Sequence, residues 1–326
     1  MRQTVDVGVK DAAGLLLGMD DIVIIAHINP DGDTLGCGFA LWAGLSQLKK
    51  KVRMVCADAI PPMYGYLVDV YDEAVGEDGA LTGKENIITV DTASPPQMGE
   101  YKTLSSDVVL AIDHHGSNKG YARYTLNRED WSSCAEIVYD LLVELGVDID
   151  GYMASAIYTG ISTDTGCFRY RNTTVNSHIV TVKLMNLGID IEFLNRVLFE
   201  TKSREFLELQ KMALESLSFF FEGRVAVITI TQEMLKQSGA KEEDVSHISS
   251  IPRSVEGVEV GLVFREQPDD RVKCSVRTTS LVDASKICGL FGGGGHHGAA
   301  GFKCSGQIED IRALAVRAAI KELKKA

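Results

Sequence analysis

Aspartate and histidine side chains gather in four short clusters of this chain of 326 residues. The clusters are His27-Ile28-Asn29-Pro30-Asp31-Gly32-Asp33, Asp91, Asp113-His114-His115 and Asp164. They offer carboxylate and imidazole ligands and no thiolate, a set that suits a hard or borderline divalent ion better than a structural zinc. We interpret the clusters as a hydrolytic site for two metal ions. Mn²⁺ is the ion we expect, with Mg²⁺, Co²⁺ or Fe²⁺ as alternatives.

Three of the clusters directly follow a run of β-branched apolar residues. Residues 21–26, 86–90 and 107–112 are short, rich in Val and Ile and bounded by polar residues, which is typical of buried parallel strands. The carboxyl ends of such strands line the ligand crevice of an open α/β sheet. Clusters that are far apart in the sequence are therefore expected to converge there.

Helical patterns alternate with the predicted strands. Residues 34–48, 133–145 and 152–163 are predicted helices, Pro95-Pro96 opens another, and two more follow at 172–187 and 191–199. Asp164 would lie near the C-terminal end of its helix. The alternation predicts an α/β fold with a doubly wound, mainly parallel sheet.

A second, smaller domain is predicted after a long helix. Residues 201–220 form an amphipathic stretch without Gly or Pro, which we interpret as a connecting helix that ends at Glu222-Gly223. Beyond it we predict strands at 225–230, 258–265 and 272–277, helices at 283–290 and 308–325, and a glycine loop. The predicted divisions are 1–200, 201–222 and 223–326, the last a mixed α/β domain.

Composition limits the partners of the protein. Lys and Arg number 18 against 32 Asp and Glu in residues 1–222, and 15 against 13 in residues 223–326. This acidity suits a cation site or simply solubility, and it disfavours long nucleic acid, which needs many cationic contacts. Seven cysteines without a CxxC pair predict thiols in a reducing compartment. No apolar stretch reaches the roughly 18 residues of a membrane span, so we expect a soluble, cytoplasmic protein.

The clusters differ in how specifically they indicate a metal site. His27 and Asp31 can bind one ion while Asp33 faces a second, although Pro-Asp-Gly is also a common surface turn. Asp91 and Asp164, taken singly, are equally typical of helix caps. In Asp113-His114-His115, adjacent side chains point in different directions, so one imidazole can bind metal while the other faces substrate.

The glycine run of the second domain predicts an anion site. Gly292 to Gly295 precede His296 and let backbone N–H groups approach a ligand. A helix expected after the loop would add its positive end, and Arg277, at the end of a predicted strand, can contact the same phosphate. The alternative is a flexible linker, but the apolar residues on both sides favour an ordered loop.

These motifs resemble those of a known family in order and spacing. The four clusters resemble the motifs of the DHH phosphoesterase superfamily, and Arg277-Thr278-Thr279 with the glycine loop resembles its DHH-associated C-terminal domain. The chain length and the short connection are most similar to the nanoRNase and pAp phosphatase subfamily, the NrnA-type proteins, rather than to RecJ-type exonucleases.

The resemblance implies a role for each site residue. One ion would be bound by His27, Asp31 and Asp91. The other would be bound by Asp33, Asp91, His114 and Asp164. In catalysis, His115 would contact the scissile phosphate and Asp113 would orient the histidines. In the second domain, the residues that would bind the nonscissile end of the substrate are Arg277, Thr278, Gly294, Gly295 and His296. Cys37 departs from the family, which often has serine there.

The resemblance also implies the reaction. We expect hydrolysis of short oligoribonucleotides to mononucleotides, together with removal of the 3′-phosphate of pAp. Cleavage of linear dinucleotides such as pApA and pGpG is an alternative that needs the same site. A non-catalytic nucleotide-binding regulator is a third reading, which the complete ligand set disfavours. A homodimer is compatible with the sequence. Tyr64, Tyr66 and Phe168 are candidate base-stacking residues, each of which is better explained as structural.

Overall fold

The computed structural model describes residues 4–68, 81, 85–241, 244–269 and 271–325. The chain divides into two compact units, Met1–Thr201 and Lys202–Ala326, each with its own sheet. Among the described residues, no helix combines the length and the apolar character that crossing a membrane requires.

The first unit contains a six-stranded sheet in the order β1-β6-β5-β4-β2-β3, in which every neighbouring pair is parallel. The strands are β1 (Val5–Asp6), β2 (Ile22–Ala26), β3 (Val52–Cys56), β4 (Asn86–Val90), β5 (Val108–Asp113) and β6 (Tyr124–Asn127). The predicted α/β fold with a mainly parallel sheet is confirmed. The short strands β1 and β6 were not among the predicted ones, because neither has an apolar run.

Helices cover both faces of this sheet. They are α1 (Val9–Gly18), α2 (Gly32–Gln47), α3 (Gly65–Val68), α4 (Cys134–Glu144), α5 (Gly151–Asp164), α6 (Val175–Met185) and α7 (Ile191–Asn195), with a π-helical turn at Arg196–Glu200 and 3₁₀ helices at Pro62–Tyr64 and Pro95–Asp107. Ile22 and Ile24 face the main helical layer, whereas Val23 and Ile25 face the 3₁₀ segment that contains Met98. The central strand is apolar throughout because both of its faces are buried.

Small residues bring α2, α4 and α5 unusually close together. A Cβ atom on Gly36 of α2 would lie 2.3 Å from the carbonyl oxygen of Ala156 in α5. A Cβ atom on Gly160 of α5 would lie 2.5 Å from Ala135 Cβ and 2.7 Å from Asp33 Oδ1. These glycines therefore allow the three helices to enclose the side chain of Asp33.

The second unit contains a mixed six-stranded sheet in the order β11-β12-β10-β9-β8-β7. Its strands are β7 (Ser218–Phe220), β8 (Val225–Ile230), β9 (Val260–Glu266), β10 (Arg271–Thr278), β11 (Gly294–His296) and β12 (Ala299–Ser305). Its helices are α8 (Arg204–Glu215), α9 (Gln232–Ser238), α10 (Val245–Ile248), α11 (Ala284–Gly289) and α12 (Ile308–Leu323), with a 3₁₀ turn at Pro252–Ser254. Among these described strands, β8 and β9 pair in parallel, and the other neighbouring pairs are antiparallel. The connection between the predicted strands 258–265 and 272–277 includes residue 270, which lies outside the described residues.

Two predictions for this unit are wrong. The helix predicted over 201–220 ends at Glu215, because the Ser216 hydroxyl pairs with the backbone of Thr229 and residues 218–220 join the sheet as β7. The helix expected directly after the glycine loop is also absent from the described residues. Instead the loop continues into the β11–β12 hairpin, where Gly294 pairs with Gly301 and Gly295 with Ala300.

Candidate metal centre

The predicted metal ligands converge at the carboxyl edge of the first sheet. His27 follows β2, Asp91 follows β4, and His114 follows β5, while the remaining three lie at helix ends. Donor atoms approach one another in three overlapping groups: His27, Asp31 and Asp91; Asp33, His114 and Asp164; and Asp91, His114 and His115. Asp91 is shared between the groups that contain His27 and His114.

The imidazole rings of His27 and His114 both face the carboxylates through Nε2. His27 Nδ1 lies 2.8 Å from the carbonyl oxygen of Ile28, which fixes a proton on Nδ1. Its Nε2 lies 3.5 Å from Asp31 Oδ1 and 3.4 Å from Asp91 Oδ2. The lone pair of His27 Nε2 therefore faces carboxylate oxygens. This arrangement requires a positive charge between the nitrogen and the oxygens, which either a proton or a metal ion can supply.

His114 has the same arrangement on the other side of Asp91. Its Nδ1 lies 3.4 Å from the carbonyl oxygen of Trp131. Its Nε2 lies 3.5 Å from Asp91 Oδ1, 3.3 Å from Asp164 Oδ2 and 3.8 Å from Asp33 Oδ2. Burial, and then the positive charge of His115, lower the pKa of His114. The ring is therefore neutral at neutral pH, as a metal ligand must be.

Asp33 is held by the first turn of α4. Its Oδ2 accepts the N–H of Cys134 at 2.7 Å and its Oδ1 accepts the N–H of Ala135 at 2.9 Å. These N–H groups have no partner within their own helix, so they are available to an anion. Cys37 lies behind Asp33, and its thiol donates to Oδ1 at 3.5 Å.

Asp91 lies at the centre of the cluster in a strained conformation. Its φ is 52°, in the left-handed region, and its N–H donates to the Ile112 carbonyl at 2.9 Å. The following turn is held from the other face of the sheet, where the Tyr121 hydroxyl donates to the Thr92 carbonyl at 3.0 Å. Asp91 Oδ1 is buried and has no hydrogen-bond partner among the described residues. An orphaned carboxylate oxygen between two imidazoles fits a cation ligand.

The carboxyl groups are perturbed in the way that a cation site requires. Burial raises the pKa of Asp91 to about 7 and that of Asp164 to about 8, and it raises the pKa of Asp33 strongly. Burial opposes a charge on His27, but its hydrogen bonds with Asp31 and Asp91 raise its pKa to about 11. The cluster therefore retains protons at neutral pH unless a metal ion displaces them.

Asp113 and His115 form a separate pair beside these ligands. Asp113 Oδ1 lies 2.8 Å from His115 Nδ1 and also accepts the N–H groups of His114 and His115 at 2.8 Å and 3.2 Å. Asp113 Oδ2 accepts the amide of Asn118 at 2.7 Å. The hydrogen bond to Asp113 raises the pKa of His115 to about 9, so the ring is an imidazolium at neutral pH. Nε2 is the nitrogen that remains to meet a ligand.

Sequence reasoning missed the groups that position the cluster. They include the amides of Cys134 and Ala135, the carbonyl of Trp131, and the side chains of Asn118 and Tyr121. Backbone groups carry no residue-type signal. Asn118 could have been suspected from the sequence only because it is a polar residue shortly after His114 and His115.

The predicted binding residues of the second unit lie around the end of β10. Arg277 and His296 both pair with Ala299, one from each neighbouring strand, so their side chains share one face of the sheet. Gly294 and Gly295 belong to the exposed strand β11, and Gly295 has a φ of 145°. Thr278 differs, because its buried hydroxyl donates to the His297 carbonyl at 2.9 Å.

Comparison with known proteins identifies both units. Residues 21–161 match the DHH family, N-terminal domain, and residues 222–325 match the DHHA1 domain. The bifunctional oligoribonuclease and PAP phosphatase NrnA of Thermus thermophilus is 30% identical over 302 residues, covering 92% of this chain and 89% of that protein. The protein of the same name from Bacillus subtilis is 26% identical, covering 91% of this chain and 93% of that protein.

A solved structure agrees over nearly the whole chain. An exopolyphosphatase-related protein from Bacteroides fragilis has a TM-score of 0.84 and 26% identity, covering 97% of this chain and 96% of that one. The similarity to this structure therefore covers both sheets, and each of the two matched domains contains most of the strands of one sheet. The chain belongs to the DHH family, as a DHH–DHHA1 protein of the NrnA type.

Proposed function

We propose that the protein is a metal-dependent phosphoesterase that hydrolyses short oligoribonucleotides to mononucleotides and removes the 3′-phosphate of pAp. The observation that carries the proposal is the buried Asp91 carboxylate, which faces His27 with one oxygen and His114 with the other. The NrnA proteins of Thermus thermophilus and Bacillus subtilis carry both activities in their names. Such an activity needs divalent cations and a group that positions the substrate, and the residues present offer carboxylate and imidazole ligands for the cations and the His115 imidazole for the substrate.

Two divalent ions fit the donor set. In our proposal His27, Asp31 and Asp91 hold one ion. The second is held by Asp33, Asp91, His114 and Asp164. Oxygen and imidazole donors favour Mn²⁺, and Mg²⁺ and Co²⁺ are accepted by the same ligand types. Ions bound there would supply Lewis acidity toward the phosphoryl group and the attacking water.

The protein's own groups then orient the substrate. His115, kept cationic by Asp113, donates from Nε2 to a phosphoryl oxygen and stabilises the negative charge that grows there. Asp113 is held in turn by Asn118 and by two backbone N–H groups, so the imidazolium has one orientation. Asp33 cannot rotate, because two N–H groups of α4 hold its carboxylate.

We assign the second unit to substrate binding. Arg277 and His296 share one face of the sheet and would bind a phosphate that is not cleaved, together with the open backbone at Gly294 and Gly295. Thr278 serves the same loop indirectly, since its hydroxyl holds the His297 carbonyl. In this scheme residues 1–200 are catalytic, 201–222 connect, and 223–326 bind substrate.

The test uses purified protein, Mn²⁺ and labelled RNA from dinucleotide to pentanucleotide, with pAp, pApA, pGpG and long DNA alongside. We expect hydrolysis of the short RNAs and of pAp, and little hydrolysis of long DNA. Asp91→Ala and His114→Ala should abolish it, and Asp148→Ala, which removes an exposed carboxylate outside the cluster, should not. Hydrolysis and metal content that survive both site variants would contradict the assignment.

Two broader proposals complete this function. We place the protein in the cytoplasm, because all seven cysteines are free thiols. We also propose a homodimer through α6, whose exposed face carries Val175, Ile179, Val182 and Met185. Apolar faces of this kind are typical of protein interfaces. Light scattering should give a dimer for the wild type and a monomer for Val182→Asp, and a monomeric wild type would exclude the dimer.

A further inference from the structure

The chain forms a tight turn directly after Asp164. Residues 166–168 all have positive φ, at 56°, 58° and 60°. This conformation is unfavourable for residues with a Cβ atom and needs supporting contacts. Thr165 provides them, because its carbonyl oxygen accepts the N–H groups of Arg169 and Tyr170, both at 2.9 Å. The turn therefore projects residues 169–171 from the end of α5.

Tyr170 has one supported side and one open side. A Cβ atom on Gly166 would lie only 2.3 Å from Tyr170 Cζ and 2.5 Å from Cε2, so the ring covers the backbone at Gly166. The residue is nevertheless 58% exposed. A ring that rests on backbone on one side and is open on the other can accept a planar group without reorganising.

The neighbouring aromatic residues are already used within the fold. Phe168 stacks on His178, with ring centroids 4.9 Å apart and an interplanar angle of 24°. The Tyr66 hydroxyl is 2.6 Å from the Thr159 hydroxyl, and Tyr64 is buried. Tyr170 differs from these three residues, because its side chain is largely exposed.

Two arginines adjoin Tyr170 in the sequence, Arg169 before it and Arg171 after it. Arg169 is exposed, and its Nε donates to the Gly166 carbonyl at 2.6 Å, which holds the side chain against the turn. Arg171 is also exposed, and its guanidinium makes no hydrogen bond or ion pair with the described residues. Both arginines follow Asp164 closely in the sequence, and exposed guanidinium groups in this acidic unit can bind an anionic ligand.

The turn is fastened to the metal cluster. The Asn172 amide donates to the carbonyl oxygens of Asp164 and Ser132, both at 3.0 Å. Asp164 Oδ2 in turn lies 3.3 Å from His114 Nε2. Two residues of chain span at most about 7 Å, so Gly166 and the ring above it remain close to Asp164.

We propose that residues 165–172 form a nucleotide subsite, in which Tyr170 stacks on the base next to the scissile phosphate while Arg169 and Arg171 bind an adjacent phosphate. This inference rests on the proposed function and names the part of the substrate that this turn recognises. Stacking tolerates every base, so the subsite would act without sequence preference. It explains why an acidic unit displays arginines beside its carboxylates.

The test is a thermodynamic cycle in which the Tyr170 ring and the substrate base are removed separately and together. Kinetics are measured for wild type, Tyr170→Phe and Tyr170→Ala on an RNA dinucleotide and on the same dinucleotide lacking the base next to the scissile phosphate. We expect Tyr170→Ala to raise KM about ten-fold on the intact dinucleotide with kcat nearly unchanged, and Tyr170→Phe to behave as wild type. On the abasic dinucleotide, wild type and Tyr170→Ala should be equal. Phe219→Ala, which truncates an exposed ring of the second unit, is the matched control.

Two results would overturn the subsite. One is an unchanged KM for Tyr170→Ala, and the other is an equal loss on intact and abasic dinucleotides. Direct binding separates this inference from the proposed function. One outcome is that the wild type fails to hydrolyse RNA and still quenches the fluorescence of a 2-aminopurine dinucleotide. If Tyr170→Ala loses that quenching, the result supports the subsite and refutes the activity. Active wild type with no Tyr170-dependent quenching refutes the subsite alone.

Discussion

Asp91 Oδ1 lies 3.5 Å from His114 Nε2, and within the described part of the chain this buried oxygen has no hydrogen-bond partner. Its second oxygen faces His27. A carboxylate in this position contributes to both halves of the cluster, and its strained φ of 52° is the cost of placing it there.

Replacing the Asp91 carboxylate with an amide of the same shape tests whether the site depends on the negative charge of this side chain. We expect Asp91→Asn to lower Mn²⁺ content and to reduce hydrolysis more than about 100-fold, because even residues behind metal ligands contribute 10–100-fold. Elemental analysis and dinucleotide kinetics are the measurements, with Asp148→Asn as the control. Full metal content in Asp91→Asn would mean that the oxygen is not a ligand.

Metal-free protein should lose stability as the pH rises. The folded-state pKa values of Asp91 and Asp164 are raised to about 7 and about 8, above the ordinary 3.8. Their contribution is fully present below the unfolded value and is lost as pH rises through 7 and 8. The raised pKa of His27, about 11, acts in the same direction.

Mn²⁺ should reverse this loss, because the ion replaces the protons that the cluster retains. The rise in Tm on adding Mn²⁺ should therefore be larger at about pH 8.5 than at about pH 6. Scanning calorimetry with and without chelator measures it, and Asp164→Asn should reduce the difference. Equal increases at both pH values would argue against proton displacement.

The Asp113–His115 pair should affect turnover more than metal binding. Asp113→Asn removes the charge that keeps His115 cationic, so we expect kcat to fall about 10–100-fold with little change in Mn²⁺ affinity. Asn118→Ala should cause a smaller loss, because Asp113 retains its bonds to His115 and to two backbone N–H groups. Mn²⁺ affinity measured by calorimetry and kcat measured on a dinucleotide separate the effect on metal binding from the effect on turnover. A large loss of Mn²⁺ affinity in Asp113→Asn would instead make Asp113 part of the ion site.

Gly160 should be required for close packing around Asp33. A Cβ atom there would lie 2.7 Å from Asp33 Oδ1, so Gly160→Ala should destabilise the fold by about 1–3 kcal/mol and weaken Mn²⁺ binding. Gly14 of α1 is the matched control, because a Cβ atom there meets nothing within 4 Å. Gly14→Ala should stabilise the protein by about 0.5–1 kcal/mol, and urea unfolding measures both. Similar effects of the two substitutions would exclude the packing explanation.

The first unit was the easier one to predict from sequence. Buried parallel strands have continuous Val/Ile runs, so the ends of β2, β4 and β5, and with them His27, Asp91 and His114, could be located from residue types alone. The groups that orient these ligands could not, because the amides of α4 that hold Asp33 depend on tertiary packing. The short strands β1 and β6 also escaped prediction, since neither carries an apolar run.

The second unit and the aromatic residues show the limits of local pattern. Four glycines are compatible with a loop before a helix or with a strand, and the pairing of Gly295 with Ala300 determines the outcome. The apolar character of Phe219 and Phe220 continued a helical pattern that the sheet interrupts. Tyr170 was overlooked because an open ring face is a property of packing and not of residue type.

The most direct test of the central claim is a Mn²⁺ titration of metal-free protein, with binding followed by calorimetry and dinucleotide hydrolysis followed in the same samples. We expect two ions per chain and hydrolysis that appears as the second ion binds. Hydrolysis that persists in chelator, or binding that is the same in Asp91→Asn as in wild type, would contradict a metal-dependent site built around Asp91.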